Sequence, residues 1–498
     1  MGETSDDRRA RGKTVARRLS GTRPTAAVGT NVVYHPAAAP IGFAMNSDEL
    51  LRQVADYCRR TGVAETTFGR RAVNDGKFVA RLRYGGRVTL ETVQRVQDFF
   101  KRNPAAASDE PALPVTAAPD PANNFRFYDN RQKYLMFVNT CSEKWVVAGR
   151  VALELANLHP RPPAVRLFDA GVGDGTVLTR LMRSMHQRFR WIPFYIVGKE
   201  ISLEDVRLTL EKMPDRFQEH PATVLVMTNL HYAEAPWLLP TSVAAATGMV
   251  WHEVALQGGT AAEFEQQITD LQAFLAKNWR AFVSRKSGNP VYEKPVVLVI
   301  YREDQRFLLH EVIPRRGTAR ADYDLVIASQ PYRARASVEF KAHRVIAPLA
   351  RSLAQGGRLI GIHSRGGDPG LEIVQRVWPG EDPFQTDRHA LLRATRTELG
   401  NRARRFNFNA YADGRSVFRY DMHTLPTEID IESASIGTST LFAAWNAATY
   451  VAQIEDLRLA EAMGGSQYLE ATRAVLRARG GLWFFDESYV ISRKRDAL

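Results

Sequence analysis

The chain has 498 residues, enough for roughly two to four domains, and its 45% hydrophobic and 24% charged residues are typical of a globular protein. Two cysteines are too few for a disulfide framework or a cysteine-rich zinc site, so we expect no metal and a reducing compartment, by default the cytoplasm. No apolar stretch is long enough to span a bilayer, and the N-terminus does not resemble a secretory signal. The net charge of +13 favours polyanion partners such as nucleic acid, although a solvated basic surface is an equal alternative.

Composition divides the chain into four segments. Residues 1–45 are rich in Arg, Ala, Thr, Gly and Pro without an apolar period, which predicts a disordered basic arm. Residues 46–103 have helical periodicity and predict a small all-α module, and residues 104–123 form a Pro/Ala linker. From 124 to 498, apolar strand-like runs alternate with helical stretches, which predicts one α/β domain.

The N-terminal module contains two short helical segments separated by a strong turn signal. The turn is Asn74-Asp75-Gly76, between a helix through residues 68–73 and a basic helix over 77–83. Helix, turn and basic helix together resemble a helix-turn-helix of the phage-repressor type. This resemblance implies that basic side chains contact DNA phosphates or base edges, namely Arg70, Arg71, Lys77, Arg81 and Arg83. The alternative is a helical bundle with a solvated basic face that docks another protein.

A glycine-rich loop follows the first apolar strand of the α/β domain. The strand ends at Asp169, glycines occupy positions 171, 173 and 175, and a helix starts at Thr176. Glycines let the backbone turn tightly and approach a ligand closely, and the helix start presents free N–H groups. The pattern predicts the first unit of a doubly wound sheet, with a ligand at the carboxyl ends of the strands.

The acid before the glycines distinguishes a dinucleotide site from a site for a positively charged cofactor. A dinucleotide site has a third glycine three residues after Gly173, where this chain has Thr176, and Asp169 would repel a pyrophosphate. The same acid attracts the ammonium and sulfonium of S-adenosylmethionine. Asp-x-Gly-x-Gly-x-Gly resembles motif I of the class I S-adenosylmethionine-dependent methyltransferases. The resemblance implies this cofactor, held by Asp169, Gly171, Gly173 and Gly175.

Two more strand ends complete the predicted cofactor site. A strand over 194–199 ends at Glu200, whose carboxylate can accept hydrogen bonds from both ribose hydroxyls, a role that the resemblance assigns to it. The alternative for Glu200 is an acid that starts the following helix. A third strand over 222–227 precedes Asn229, which the resemblance places against the adenine, although Thr228 or the backbone could serve instead.

An insertion of about 90 residues, from about 231 to 320, separates Asn229 from the fourth strand of the predicted sheet. We predict a helix near 262–282 and a hairpin that pairs 296–301 with 307–312. Two basic pairs, Arg285-Lys286 and Arg315-Arg316, also lie in this insertion. We expect the insertion to shape the substrate site.

The fourth strand, over 323–328, leads into the predicted catalytic stretch Ser329-Gln330-Pro331-Tyr332. It resembles the four-residue stretch of methyltransferases that act on planar amino groups, although Gln330 departs from the usual residue. In that interpretation a side-chain oxygen and a backbone carbonyl of the stretch accept hydrogen bonds from the amine, and the aromatic ring stacks on its plane. The residues that would serve are Ser329, Pro331 and Tyr332, and positioning accounts for most of the catalysis. The alternative is an ordinary proline turn.

The remaining elements complete the predicted sheet. Residues 353–363 predict a turn and a fifth strand that ends at His363, which is either a base or structural, and segments 405–419 and 481–494 predict a closing antiparallel pair. The result is a doubly wound, mostly parallel, seven-stranded α/β sheet with an insertion before its fourth strand. We predict a methyltransferase acting on a nitrogen, with nucleic acid as one acceptor class. The alternatives are a small-molecule or protein methyltransferase with a regulatory N-terminal module, or a cofactor-sensing transcriptional regulator without turnover.

Overall fold

The computed structural model describes residues 50–51, 53–54, 57–58, 65–83, 89–103, 131–284, 290–423 and 436–495. The chain divides into two compact units, Met1–Pro114 and Val115–Leu498. The predicted basic arm, the Pro/Ala linker and the basic pair Arg285-Lys286 lie outside the described residues. The domain boundaries therefore stay predictions.

The N-terminal unit contains three helices with assigned bounds, α1 (Glu65–Val73), α2 (Phe78–Arg83) and α3 (Leu90–Arg102), in its described part. Gly69 packs against the turn between α1 and α2 so closely that a Cβ would lie 2.3 Å from the Asp75 carbonyl oxygen. Phe68, Phe78 and Val96 are among the residues of its small apolar core. These helices agree with the predicted positions, whereas DNA binding stays a prediction.

A sheet of ten strands dominates the described part of the second unit. Its strands are β1 (Val165–Asp169), β2 (Phe194–Lys199), β3 (Thr223–Thr228), β4 (Val250–Leu256), β7 (Val296–Arg302), β8 (Tyr323–Ser329), β9 (Leu353–Ser364), β10 (Phe406–Asn409), β11 (Val417–Asp421) and β12 (Trp483–Arg493), and a separate pair is formed by β5 (Ala281–Val283) and β6 (Pro290–Tyr292). The order across the sheet is β10-β12-β9-β8-β1-β2-β3-β7-β4, and β11 also pairs with β12.

The centre of the sheet confirms the predicted fold class. Strands β3, β2, β1, β8 and β9 run parallel to one another, and β12 closes this set antiparallel to β9. Side chains of β1 alternate between two cores, with Leu167 in one and Phe168 in the other, as expected for parallel strands covered on both faces. This is a doubly wound, mostly parallel α/β sheet.

The insertion accounts for most of the difference between ten strands and the predicted seven. The predicted hairpin is wrong, because residues 307–312 form turns rather than a strand. Strand β7 instead runs antiparallel beside β3, and β4 pairs parallel with β7. Every residue of β7 is buried, so this apolar run gains more by extending the main sheet than it would in an exposed hairpin.

Helices cover both faces of the sheet and supply the segments around its carboxyl edge. Their bounds are α4 (Arg131–Thr140), α5 (Glu143–Ala152), α6 (Thr176–Arg188), α7 (Leu203–Glu211), α8 (Pro214–Glu219), α9 (Val243–Thr247), α10 (Ala261–Asp270), α11 (Gln272–Asn278), α12 (Val338–Lys341), α13 (Ala347–Arg351), α14 (Pro369–Val377), α15 (Arg388–Leu399), α16 (Asp413–Ser416), α17 (Thr438–Val451), α18 (Asp456–Met463) and α19 (Gln467–Arg479). The helix predicted near 262–282 is thus two helices, α10 and α11. Within the described ranges, no helix combines the length and apolarity needed to cross a membrane.

Candidate functional site

The glycine loop joins β1 to α6, and its three glycines differ in what surrounds them. Gly173 and Gly175 have left-handed φ angles of 57° and 79°. A Cβ on Gly175 would lie 2.8 Å from Thr209 Oγ1, and one on Gly173 would lie 3.0 Å from Tyr134 Oη, whereas one on Gly171 would meet nothing within 4 Å. The fold therefore requires Gly175 and Gly173, while Gly171 borders open space that a ligand can fill.

Asp169 lies at the end of β1, 2% exposed, beside this open space. Its Oδ1 accepts a hydrogen bond from the Gly171 N–H at 3.2 Å. Burial, with a smaller contribution from the negative charge of Glu200, raises the pKa of Asp169 to about 7. A buried carboxyl that lacks a sufficient counter-charge is suited to a positively charged ligand group.

Glu200 connects the end of β2 to the glycine loop. Its Oε2 accepts from the Gly173 N–H at 2.9 Å, and its Oε1 accepts from the N–H groups of Ile201 and Ser202 at 2.8 and 2.9 Å. Glu200 therefore supports the start of α7, as the alternative interpretation proposed. A carboxylate oxygen accepts two hydrogen bonds, so Oε2 also keeps the capacity to accept from a ligand hydroxyl.

Tyr134 and Asp174 form a second contact with the loop that the sequence did not assign. The Tyr134 hydroxyl, from α4, donates to Asp174 Oδ1 at 3.4 Å and accepts from the Asp174 N–H at 3.3 Å. Burial alone would raise the pKa of Asp174, but hydrogen bonds from Lys212 and Thr176 lower it below its usual value. Asp174 is thus satisfied within the fold, in contrast to Asp169.

Lys144 of α5 adds a positive charge to the site. Its Nζ lies 3.3 Å from Glu143 Oε2, and its charge lowers the pKa of both Asp169 and Asp174. Burial by itself lowers the pKa of Lys144, but Glu143 and Asp174 raise it above its usual value, so the side chain stays a cation. Lys144 and Asp169 present opposite charges in one region. The polar residues at 142–144 were the only sequence signal for this role.

The predicted catalytic stretch is held by contacts within the chain. Gln330 has a left-handed φ of 47°, and its amide donates to Ser364 Oγ at 3.1 Å. The Pro331 carbonyl accepts from the Tyr232 hydroxyl at 2.7 Å. Ser329 is half-buried at the end of β8, which lies between β1 and β9. The structure thus brings Ser329 to the same sheet edge as Asp169, while the Pro331 carbonyl already has a partner.

Tyr332 belongs to a buried polar network. Its hydroxyl lies 2.6 Å from His363 Nδ1, and His363 Nε2 lies 2.8 Å from Glu487 Oε1. Burial raises the pKa of Glu487, but His363 and Arg388 bring it down to about 2, so Glu487 is a stable anion. With Tyr332 only 7% exposed, these contacts favour a structural role for His363 and leave the stacking role of Tyr332 a prediction.

Asn229 holds the insertion in place. Its Nδ2 donates to the Lys294 carbonyl and its Oδ1 accepts from the Val296 N–H, both at 2.8 Å. The side chain is 1% exposed and directed at the start of β7. Its predicted contact with an adenine is not favoured by this arrangement.

The basic residues predicted to contact nucleic acid belong to the N-terminal unit. Arg70, Arg71, Lys77 and Arg81 are exposed there, and the side chain of Arg83 lies outside the described residues. Arg81 forms an ion pair with Asp75 at 2.5 Å. Their contact with DNA stays a prediction.

No group of three or more His, Cys, Asp or Glu side chains in the described ranges is arranged to hold a metal ion. No protein-family model and no curated protein sequence matches the chain. The similar solved structures include a geranyl diphosphate methyltransferase with GPP and sinefungin (13% identity, TM-score 0.26, 69% of this chain and 77% of that chain). They also include a putative sarcosine dimethylglycine methyltransferase from Galdieria sulphuraria, with 11% sequence identity and a TM-score of 0.26. That match covers 72% of this chain and 86% of the other. These similarities are low, and the fold assignment rests on the strand order and directions described above.

Proposed function

We propose that this chain binds S-adenosylmethionine at the loop 169–175 and transfers its methyl group to an acceptor. The observation that carries the proposal is Asp169, a buried carboxyl with a raised pKa beside the open space at Gly171. The amino-acid part of this cofactor carries an ammonium and a carboxylate, which match the opposite charges of Asp169 and Lys144. Glu200 Oε2 has the capacity to accept from a ribose hydroxyl.

When bound, the cofactor would supply an electrophilic methyl group on its sulfonium, with the neutral thioether S-adenosylhomocysteine as the leaving group. The residues of this chain contribute by positioning, which can supply a large part of the barrier reduction in such a transfer. Tyr134 and the Glu200 carboxylate hold the backbone of the loop, and Asp169 and Lys144 orient the charged ends of the donor.

For the acceptor we propose a nitrogen atom, with nucleic acid as one acceptor class. This part rests on the sequence stretch from Ser329 to Tyr332 and on the half-buried position of Ser329 at the edge that also holds Asp169. The Pro331 carbonyl already accepts from the Tyr232 hydroxyl, so Ser329 is the side chain of this stretch that we propose to accept from an amine.

Calorimetric titration with S-adenosylmethionine and S-adenosylhomocysteine tests the cofactor proposal. We expect Asp169→Asn to weaken binding of both ligands by about 10- to 100-fold, because it removes a charge-assisted hydrogen bond. Asp270→Asn, which removes a carboxylate on the exposed face of α10, is the matched control and should bind like the wild type. Equal affinity of Asp169→Asn and Asp270→Asn would refute the cofactor site.

Transfer from a donor with a radiolabelled methyl group tests the acceptor. DNA, RNA, protein and small-molecule extracts are offered separately, and the labelled product is hydrolysed to identify the methylated atom. Label on a nucleic-acid nitrogen supports the full proposal, and label only in protein or small molecules removes the nucleic-acid class. Binding without transfer in all extracts would favour the cofactor-sensing regulator instead.

A further inference from the structure

The insertion forms a basic pocket at the outer edge of the sheet, beside the edge strand β4. The cavity has a volume of about 320 Å³, near the lower end of the range for ligand pockets. We call it the insertion pocket, and its chemistry comes from Trp251, Glu253, Arg306, His310, Arg315 and Arg316. The lining is basic because it contains three arginines and only one glutamate.

Two of these arginines keep their full charge for a ligand. Glu253 Oε1 accepts from the Tyr301 hydroxyl at 2.5 Å and from Arg306 at 3.4 Å, so the only carboxylate of the pocket is already engaged. Among the ion pairs of the described residues, none includes Arg315 or Arg316. The pocket thus has a strong attraction for anions that the fold does not neutralise.

Uncharged partners hold these two guanidinium groups in position. Arg316 Nη2 donates to the carbonyl oxygens of Ala246 and Thr247 at the end of α9, at 2.9 and 3.3 Å. Arg315 Nη2 lies 3.0 Å from His310 Nε2. Carbonyl and imidazole acceptors orient a guanidinium without cancelling its charge, so less side-chain entropy is lost when an anion binds.

Aromatic and apolar surface accompanies the basic groups. Trp251 is half-buried in the wall of the insertion pocket. The segment that carries the arginines is anchored by the buried side chains of Leu309 and Val312, yet Phe307 is 97% exposed and Leu308 is 58% exposed. An ordered segment with an exposed phenylalanine between arginines is typical of surfaces that stack on bases and contact phosphates.

We propose that the insertion pocket and Phe307 bind single-stranded nucleic acid, with phosphates at Arg315 and Arg316 and a base against Trp251. The aromatic groups favour this ligand over an acidic protein, since acidic side chains have no ring to stack. The net charge of +13 supports a polyanion partner for the whole chain. The site is independent of the proposed methyl transfer, and its residues are not among the basic residues predicted to contact DNA.

Fluorescence anisotropy of labelled DNA and RNA single strands of about 15 nucleotides, with the full chain at several salt concentrations, tests the proposal. We expect Arg315→Gln combined with Arg316→Gln to weaken binding about tenfold and to reduce the slope of log K against log salt by about 1.4, the value for two phosphate contacts. The matched control combines Arg402→Gln with Arg404→Gln, two exposed arginines outside the pocket, and should change affinity less than about twofold. Equal losses in the two double variants would overturn the proposal, because only general charge would then matter.

The stacking contact has its own pair of variants. We expect Trp251→Ala to weaken binding about tenfold, Trp251→Phe to bind like the wild type, and Trp191→Ala, which removes a tryptophan that is 89% exposed, to have no effect. Circular dichroism of each variant checks that the fold is retained. The proposal fails if Trp251→Ala and Trp191→Ala bind alike, or if polyglutamate of matched charge competes as well as unlabelled nucleic acid.

Discussion

The carboxyl edge of the sheet has two parts, one at the ends of β1 and β2 and the other at the ends of β3 and β8. Their polar groups differ in whether hydrogen bonds within the fold already satisfy them. At the first, Asp169 has one hydrogen bond to the Gly171 N–H beside open space. At the second, Asn229 is bonded at both ends of its amide, and the Pro331 carbonyl has a donor. Position at the edge is therefore not sufficient for ligand binding, because a group must also remain unsatisfied by the fold.

The insertion explains much of this difference. Asn229 binds the backbone at the start of β7, and Tyr232, which follows β3, binds Pro331. Both contacts link predicted site residues to a segment that a minimal sheet of this type does not contain. The insertion thus uses groups near β3 and β8 for its own attachment, while the groups near β1 and β2 stay available.

The largest expected effect is a difference in stability between alanine variants of two glycines in the glycine loop, Gly175 and Gly171. Gly175→Ala places a Cβ 2.8 Å from Thr209 Oγ1 at a left-handed φ, so we expect a loss of about 3 to 4 kcal/mol in the free energy of unfolding. Gly171→Ala meets no atom within 4 Å and should keep wild-type stability, but it should weaken S-adenosylmethionine binding by filling the open space. Denaturant unfolding and calorimetry measure the two effects. Similar stability of both variants would contradict the distinction.

The next effect tests whether Asn229 serves the fold or the ligand. Asn229→Ala leaves the Lys294 carbonyl and the Val296 N–H without their partner, so we expect a loss of about 3 kcal/mol in stability with cofactor affinity close to wild type. Asn407→Ala, on the exposed face of β10, is the control and should cost less than about 0.5 kcal/mol. A large drop in affinity at unchanged stability would restore the predicted adenine contact.

Asp169 makes both stability and binding depend on pH. Its pKa is about 7 in the folded chain and near its usual value when unfolded, so the stability that the neutral carboxyl contributes is complete below about pH 4 and is lost as pH rises through 7. Cofactor affinity should change in the opposite sense, rising about tenfold per pH unit up to 7, because the ammonium binds the ionised form. Titrations at pH 6, 7 and 8 measure this. An affinity that does not change with pH, as expected for Asp169→Asn, would exclude Asp169 as the partner of the ammonium.

The smallest effect concerns the tyrosine at the end of the predicted catalytic stretch. Tyr332→Phe removes the hydroxyl bonded to His363, so we expect a loss of about 1 kcal/mol in stability and a methyl-transfer rate within about twofold of wild type. Tyr468→Phe is the control, because Tyr468 is also buried and in aromatic contact, but no hydrogen bond joins its hydroxyl to another described residue. Loss of turnover at unchanged stability would instead make the Tyr332 hydroxyl part of the catalytic machinery.

The sequence by itself determined the sheet class, the position of the glycine loop and the acids at the ends of β1 and β2. These features are local, because an apolar run defines a strand, glycine spacing defines a tight loop, and the residue after a strand lies at the sheet edge. The same logic correctly located Ser329 at the end of β8.

Only the tertiary structure decided which of these groups are free for a ligand. The two hydrogen-bond partners of Asn229 lie 65 and 67 residues away in the chain. The partner of the Pro331 carbonyl lies 99 residues away, and the partner of the Tyr332 hydroxyl lies 31 residues away. Lys144 also acts across a separation in the chain, because its charge lowers the pKa of Asp169 from a helix that precedes the glycine loop. Strand β7 likewise pairs with β3 in the main sheet instead of forming the predicted hairpin. Hydrogen bonds and charge pairs depend on distance in space. The residue pattern around a strand end predicts its place at the sheet edge, but it does not specify which distant group will contact it.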